Sequence, residues 1–398
     1  MRAITDSKPS KQRTDFYGPR TTNTLSTLSE FEEKTERLGR LMAQEDLGGV
    51  LINAQHNFAW LTCGGANGID QSREAGAGWL FVRRDGRRFA LANRIEMPRL
   101  LGEELNGQSF EPIEFRWEDE RANPGIVVER ARSLLETGRR VGADLSVVGC
   151  DKVVEPGLGL LRGRLTQSEV DRYRLLGREA GAAIGQMVRD LEPGMTEREI
   201  AFRASQVLGD FGARAVVALV AADQRMELYR HPVATERRWE KKVMVVVCAR
   251  RGGLIVSLTR IACVGEADTE LRRRTEACAR VNAQLFAATR PQVTGSELYL
   301  AASRGYEKEG FPGEEQRHHQ GGATGYRTRE WVAHPRSEDQ VQSPQAFAWN
   351  PSITGTKVEE TCIAFDDRVD VITESPDWPS LRVDVSGREY ALPDVLVL

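Results

Sequence analysis

The sequence lacks most of the features by which membrane, secreted and nucleic-acid-binding proteins are recognised. It contains no run of about 18 apolar residues, so no transmembrane helix is expected. The formal net charge is only -3, which gives no reason to expect nucleic acid or an anionic membrane as a partner. Six cysteines occur without a CxxC pair, and Cys248 and Cys263 lie inside apolar segments. This usage favours free thiols in a reducing cytoplasm over disulfide bonds.

The composition that remains is that of a globular protein. With 398 residues, 40% of them hydrophobic and 28% charged, the chain is long enough for two domains with separate cores. Residues 1–27 are polar and lack the apolar stretch of a secretory signal, so we expect a flexible arm there. We predict a first domain over residues 28–163 and a second over residues 164–398.

The first domain has the pattern of an α/β layer structure. Ser29 and Glu32 have capping-box spacing and predict a helix start, and Gly48 with Gly49 predicts its end. The segment "VLINA" that follows is typical of a short buried strand. Further apolar segments, "FAWLT", "GWLFVRR" and "RFALANR", support the same layered arrangement.

The second domain begins with helices and continues with strands. Thr166 with Glu169, and Thr196 with Glu199, each have capping-box spacing and predict two successive helices. From Val243 onward the segments are strand-like, with one further helix predicted across residues 270–289. Helices followed by an antiparallel sheet indicate an α+β domain.

Several short segments of the chain occur in an order that a known family shares. They are "HNFAWLTCGG", "LEPGMTEREIA", "RHPVATERRWEKKVMVVVCARRGGLIVSLTR", "HHQGGATGYRTRE" and "FAWNPSITGTKVEET". Over roughly residues 28–380 this order resembles the pita-bread family of creatinase, prolidase, aminopeptidase P and methionine aminopeptidase. The resemblance implies an α/β N-terminal domain followed by an α+β pita-bread domain.

The family's dinuclear metal site requires two aspartates, one histidine and two glutamates, which are ligands suited to divalent cations. The resemblance places Val246, Ser257, Gly322 and Asn350 at four of these five positions, and only Glu359 is retained. An isopropyl group, a hydroxyl, a hydrogen and an amide cannot hold two metal ions. We therefore predict that no metal and no other cofactor is bound.

Creatinase is the metal-free member of this family, and the resemblance implies a similar use of the retained residues. A loop histidine acts there as the acid and base on a C–N bond, and His231 matches it. Imidazole suits proton transfer because its pKa lies near neutrality. Arg329 matches an arginine that holds a substrate carboxylate, whereas Asn350 stands where creatinase keeps a glutamate. The predicted catalytic residues are His231, His318 and Glu359, and the predicted substrate-binding residues are His319, Tyr326, Arg329, Glu330 and Asn350.

These residues predict a metal-independent enzyme that cleaves a C–N bond, by hydrolysis or elimination, in a small carboxylate-bearing amino, amidine or guanidino metabolite. Two alternatives remain open: a non-catalytic pita-bread binding protein and an Xaa-Pro type metallopeptidase. The resemblance also implies a homodimer, with the segment that contains Phe58 and Trp60 as a candidate to reach the neighbouring subunit, and the cysteine usage predicts a cytoplasmic location.

Overall fold

The computed structural model describes residues 24–105 and 107–398. The first helix, α1, spans Thr24–Gln44 and therefore begins before Ser29, the predicted start. Ser29 is exposed within this helix, where a serine side chain costs little, so the capping-box prediction is wrong at this point. Residues 1–23 of the expected arm lie outside the described residues, and residues 24–27 belong to α1.

A six-stranded sheet forms the centre of the first unit, in the order β4-β3-β2-β1-β5-β6. The strand β1 is fully buried, as predicted for "VLINA", and pairs antiparallel with β2 and parallel with β5. The strands are β1 (Gly49–Ala54), β2 (Ala75–Arg83), β3 (Arg88–Asn93), β4 (Glu111–Phe115), β5 (Val141–Ala143) and β6 (Lys152–Val153).

Short helices cover this sheet. They are α2 (Gln55–Leu61), α3 (Met97–Arg99), which continues into a π-helical turn, α4 (Trp117–Ala122), α5 (Ile126–Ser133) and α6 (Glu155–Gly163). The "FAWLT" segment is thus mostly helical, within α2, and every residue of α2 is buried. Phe58 and Trp60 are 0% exposed, so the expectation that they reach a neighbouring subunit is wrong.

The second unit opens with two helices whose starts follow the predicted caps. Thr166 and Thr196 each accept a hydrogen bond from the backbone N–H of the glutamate three residues later, which confirms both capping boxes. A third such cap, at Thr294, was not predicted. The helices are α7 (Gln167–Arg189), α8 (Glu197–Gly209), α9 (Arg225–Leu228), α10 (Thr269–Ala288) and α11 (Gly295–Lys308).

Two four-stranded sheets follow, in the orders β18-β9-β8-β7 and β10-β11-β14-β15. The strand β7 precedes Val243, so the β region begins earlier than predicted. The strands are β7 (Arg214–Ala222), β8 (Lys242–Arg251), β9 (Leu254–Cys263), β10 (Gly321–Thr324), β11 (Gln345–Trp349), β12 (Ser352–Ile353), β13 (Thr356–Lys357), β14 (Glu360–Ala364), β15 (Val369–Val371), β16 (Ser380–Val385), β17 (Arg388–Pro393) and β18 (Leu396–Val397).

Hydrogen bonds between β9 and the start of β14 join the two sheets. The N–H of Ser257 donates to Thr361 Oγ1 at 2.7 Å, and the same hydroxyl donates to the carbonyl of Ser257 at 2.9 Å. Two residues away, Thr259 Oγ1 donates to the Glu359 carboxylate at 2.7 Å. All four side chains are buried, so these hydrogen bonds hold the two sheets together in a fixed arrangement.

A buried ionic network connects the two units of the chain. The ammonium of Lys34, in α1, lies 2.6 Å from Glu30 and 2.7 Å from Glu169, in α7. It also donates to the carbonyl of Trp60, and Tyr326 donates to Glu169 at 2.6 Å. Since Lys34 is 0% exposed, its charge depends on these carboxylates for compensation.

None of the described helices is long and apolar enough to cross a membrane.

We expect Lys34→Met to lower the free energy of unfolding by about 3–5 kcal/mol, because Glu30 and Glu169 would lose their buried counter-charge. Chemical denaturation measures this change. The control is Lys241→Met, since Lys241 is exposed, and we expect a change within about 0.5 kcal/mol. A loss as small for Lys34→Met as for the control would contradict a stabilising role for the network.

Candidate functional site

Three histidines from distant parts of the sequence meet in the second unit. His231 follows α9, and His318 and His319 precede β10. The Nε2 atoms of His231 and His318 are 3.1 Å apart, and the rings of His318 and His319 stack with centroids 4.4 Å apart. All three histidines were predicted from the sequence as residues of one site, two as catalytic and one as substrate-binding. His319 does not point away from its neighbour, because the two residues lie before the strand, where alternation does not apply.

Polar contacts on its inner side hold His318 in place. Its Nδ1 lies 3.3 Å from the hydroxyl of Ser352, in β12. The side-chain amide of Gln320 donates to the carbonyl of His318, and Tyr306 donates to the oxygen of the same amide at 2.6 Å. The tyrosine also accepts from the N–H of Ser352 at 2.8 Å. His318 is therefore fixed, whereas His231 is exposed on the solvent side of the pair.

Burial and nearby cations keep the three imidazoles neutral at pH 7. Desolvation is the largest cause in each case: it lowers the pKa of His231, lowers the pKa of His319 to about 4, and lowers the pKa of His318 further still. The positive charge of Lys357 lowers the pKa of all three, and Arg329 adds to the effect on His231 and His319. Glu359 acts in the opposite direction and raises the pKa of His231.

Glu359 is already engaged by its neighbours. Its Oε2 accepts the hydrogen bond from Thr259, and its Oε1 lies 3.5 Å from Arg329 Nη2. Arg329 also donates to the carbonyl of Thr328 at 2.6 Å, while its Nε is buried without a partner. Glu359 therefore acts as a fixed acceptor that orients the guanidinium beside the histidines.

Lys357 belongs to the site and was not predicted from the sequence. It lies in β13, directly across from Ser352 in the adjacent strand, and Ser352 contacts His318. Only 4% of Lys357 is exposed, and burial lowers the pKa of its ammonium. The only signal in the sequence was its place two residues before Glu359, which is weak by itself.

Two of the predicted substrate-binding residues lie elsewhere. Tyr326 is part of the Lys34 network, where its hydroxyl is bonded to Glu169. Glu330 pairs with Arg162 of α6 at 2.7 Å and accepts from the backbone N–H of Tyr326 at 3.1 Å. Both residues therefore connect the two units of the chain, and the structure does not bring them to the histidines.

Asn350 lies next to the segment that carries the histidines. Its backbone N–H donates to the carbonyl of Gln320 at 3.0 Å, and its side-chain Oδ1 is buried without a partner. The Nδ1 of His319 is also buried and unpartnered. Buried polar atoms usually have a partner, so a ligand that supplied hydrogen bonds here would offset the cost of burying them.

Comparison with known proteins places the chain in a family. The sequence profile of metallopeptidase family M24 matches residues 171–374, just over half of the chain. The protein belongs to metallopeptidase family M24. A search of curated proteins by sequence finds no significant match.

Solved structures of low sequence identity share the fold of this M24 protein. An Xaa-Pro dipeptidase from Bacillus anthracis superposes with a TM-score of 0.71 at 18% identity, covering 92% of this chain and 100% of that one. A prolidase from Pyrococcus horikoshii OT3 gives 0.71 at 18% identity, with 86% and 98% covered. The N-terminal domain of the FACT complex subunit SPT16 from Cicer arietinum gives 0.66 at 13% identity, with 88% and 96% covered. The predicted architecture, an N-terminal α/β domain followed by a pita-bread domain, is confirmed.

The metal site expected of an M24 metallopeptidase does not fit the residues present. Ser257 donates to Cys248 Sγ at 3.2 Å, and Val246 is buried among apolar residues. At Gly322 a Cβ atom would lie 2.2 Å from the carbonyl oxygen of Trp331, so a histidine there would require the backbone to move. With Asn350 an amide and Glu359 engaged by Thr259, the set of donors cannot hold two divalent cations.

The three clustered histidines form a second candidate metal site, separate from the dinuclear one. Their ligand atoms all lie within 4.8 Å of one another, so they could hold a single ion. Lys357 and Arg329 already present positive charge to these rings, which disfavours a further cation.

We expect the purified protein to retain no stoichiometric transition metal after dialysis, and elemental analysis measures this. About two Mn, Co or Zn ions per chain would overturn the assignment of the five positions. One ion per chain that is lost in His319→Ala would instead assign a metal to the histidine cluster.

Proposed function

We propose that this M24 protein is a metal-independent, creatinase-like enzyme that cleaves a C–N bond of a small carboxylate-bearing metabolite. The observation that carries the proposal is the 3.1 Å contact between His231 and His318. Two imidazoles within hydrogen-bond distance can serve the same substrate as proton acceptor and proton donor. Rings on opposite sides of the domain could not have done so.

The chemistry needs one proton taken up and one delivered. In hydrolysis, His231 on the solvent side takes a proton from water as the new C–O bond forms. The proton then passes to the departing nitrogen as the C–N bond breaks, directly or through His318. In elimination the first proton comes from a carbon beside the nitrogen. Both histidines are neutral beforehand, and this is the state in which imidazole can act as the base.

Arg329 is proposed to hold the substrate carboxylate. Its Nε is buried and unpartnered, and its orientation is fixed by Glu359, so the free edge can bind an anion. Leaving a buried polar atom without a partner costs about 1–3 kcal/mol. The unpartnered atoms of Arg329, His319 and Asn350 therefore favour a site that binds a ligand over a surface without one.

The two alternative functions differ in their support. The resemblance to the SPT16 domain keeps a non-catalytic binding protein open, because a FACT complex subunit uses the same fold. The resemblance to an Xaa-Pro dipeptidase is a resemblance of fold at 18% identity. A peptidase of that kind would need the metal ligands that Gly322 and Val246 replace.

We expect His231→Ala and His318→Ala each to lower kcat by roughly 10²–10⁴, since general acid–base groups contribute factors of this size. The substrate is to be found by incubating the protein with a metabolite mixture and following consumption by mass spectrometry. His334→Ala is the matched control, because His334 is an exposed histidine of the same domain, and it should leave kcat unchanged. Full activity in His231→Ala would contradict the mechanism, and consumption of no metabolite would favour the binding protein.

We also propose that the protein is a homodimer, with a contact different from the one expected from the sequence. Ile69, Ile95 and Trp117 are 62%, 65% and 51% exposed and line one cavity of about 470 Å³ in the first unit. Exposed apolar side chains grouped in this way are typical of an interaction surface.

Light scattering at micromolar concentration should therefore give about twice the chain mass of 44.4 kDa. Trp117→Asp should shift the protein toward the monomer, because a carboxylate would be buried at the contact. A monomer in the unchanged protein would contradict the proposal. The exposed Phe202→Asp variant controls for a general effect of removing a surface aromatic.

A further inference from the structure

The charge on Lys357 has no partner of its own in the site. Among the described residues, no hydrogen bond or ion pair within 4.0 Å is formed by its ammonium, although the side chain is only 4% exposed. Burial lowers the pKa of this ammonium, and the charge of Glu359 opposes that shift only in part, because Glu359 is itself bonded to Thr259 and Arg329. A buried ammonium is costly unless something pairs with it, so the N–H groups of Lys357 are available to a ligand.

The charges around the histidines do not balance. Lys357 and Arg329 contribute two positive charges, and Glu359 contributes one negative charge. Arg230 also acts on His318, but it is paired with Glu314. The site therefore has an excess of positive charge, which favours an anionic ligand.

The same charges disfavour a substrate whose reacting group is a cation. An amidinium or guanidinium needs free carboxylates, and the position where a second one is expected holds Asn350. Glu359 cannot turn to such a group without releasing Thr259 and Arg329. A neutral carbonyl group carries no charge to repel and offers an oxygen that accepts from an ammonium.

We infer that the substrate carries its scissile nitrogen in an uncharged carbonyl–nitrogen group, such as an amide, lactam or ureido group, and that Lys357 donates a hydrogen bond to the carbonyl oxygen. This inference rests on the proposed function and narrows it, because it removes amidine and guanidino compounds and selects hydrolysis.

The step balances without an oxidant or a further reactant. Water attacks the carbonyl carbon, its proton passes to His231, and the π electrons of the carbonyl move onto the oxygen. The Lys357 ammonium faces the negative charge that develops there, as donors to such an oxygen do in other hydrolases. When the carbonyl reforms, the C–N bond breaks and the nitrogen leaves with the proton held by the imidazoles.

Two small compounds test the inference in a matched way. N-carbamoylglycine and guanidinoacetate share the glycine carboxylate and differ in a carbonyl oxygen against a charged nitrogen. We expect the protein to bind the ureido compound at least about tenfold more tightly by calorimetry, because like charges placed together cost that much or more. Equal binding, tighter binding of guanidinoacetate, or binding of neither at millimolar concentration would overturn the inference.

Variants of Lys357 assign the preference to its charge. Lys357→Met should reduce the preference to less than about threefold, whereas Lys357→Arg and the exposed control Lys308→Met should retain it. Thermal unfolding checks that each variant is folded, and a folded Lys357→Met with an unchanged preference would overturn the role of the lysine.

With an active substrate, Lys357→Met should lower kcat by about 10²–10³. It should also move the acid limb of the pH–kcat profile to higher pH. Lys357 lowers the pKa of His231 and His318, so its removal raises the pH above which these bases are neutral.

The inference and the proposed function fail separately. A preference for the ureido compound without turnover of any metabolite would support the role of Lys357 in ligand selection and contradict the proposed enzymatic activity. Turnover of a guanidino compound that is lost in His231→Ala would keep the enzyme and overturn the inference.

Discussion

The hydrogen bonds that join β9 to β14 set the geometry of the second unit. Thr361 bonds to both backbone groups of Ser257, and Thr259 bonds to the Glu359 carboxylate. In an M24 metallopeptidase two metal ions would connect these strands through carboxylates. Here hydroxyl and backbone groups also connect these strands, through bonds that need no metal ion. The carboxylate that remains at Glu359 becomes part of the framework.

Once the sheets are joined in this way, the positive charge of the site comes from side chains. Lys357 lies in β13, and Arg329 lies in the segment after β10. Both positive charges lower the pKa of histidines that desolvation already keeps neutral. A bound metal ion would act as a Lewis acid that polarises water. An ammonium and a guanidinium supply charge at fixed points with directed N–H donors, which suits recognition of anions and developing oxyanions.

Local sequence patterns predicted some of the features that depend on local interactions, although the same spacing at Ser29 does not mark a helix start. The caps at Thr166 and Thr196 are bonds between residues three apart, and both were predicted from spacing alone. The pairing of His231 with His318, 87 residues apart, was predicted only because a family resemblance gave their positions. Composition and periodicity carry no information about such a distance.

Other contacts could not be predicted because their partners are distant in the chain and chemically ordinary. Tyr326 and Glu169 are 157 residues apart, and nothing near either residue identifies the other as its partner. Glu330 follows Arg329 directly, yet it pairs with Arg162 of another helix. The burial of Lys357 follows from the tertiary structure, and its place two residues before Glu359 is too weak a signal to predict it.

Gly322 lies at a position where the backbone leaves no room for a side chain. Because the backbone of β10 lies against the carbonyl of Trp331, even a methyl group at this position would require the neighbouring segment to move. A single substitution to histidine would thus destabilise the fold before it gained any affinity for a metal. A ligand at position 322 would therefore require a change in the Trp331 segment first, so the order in which substitutions occur at this place matters.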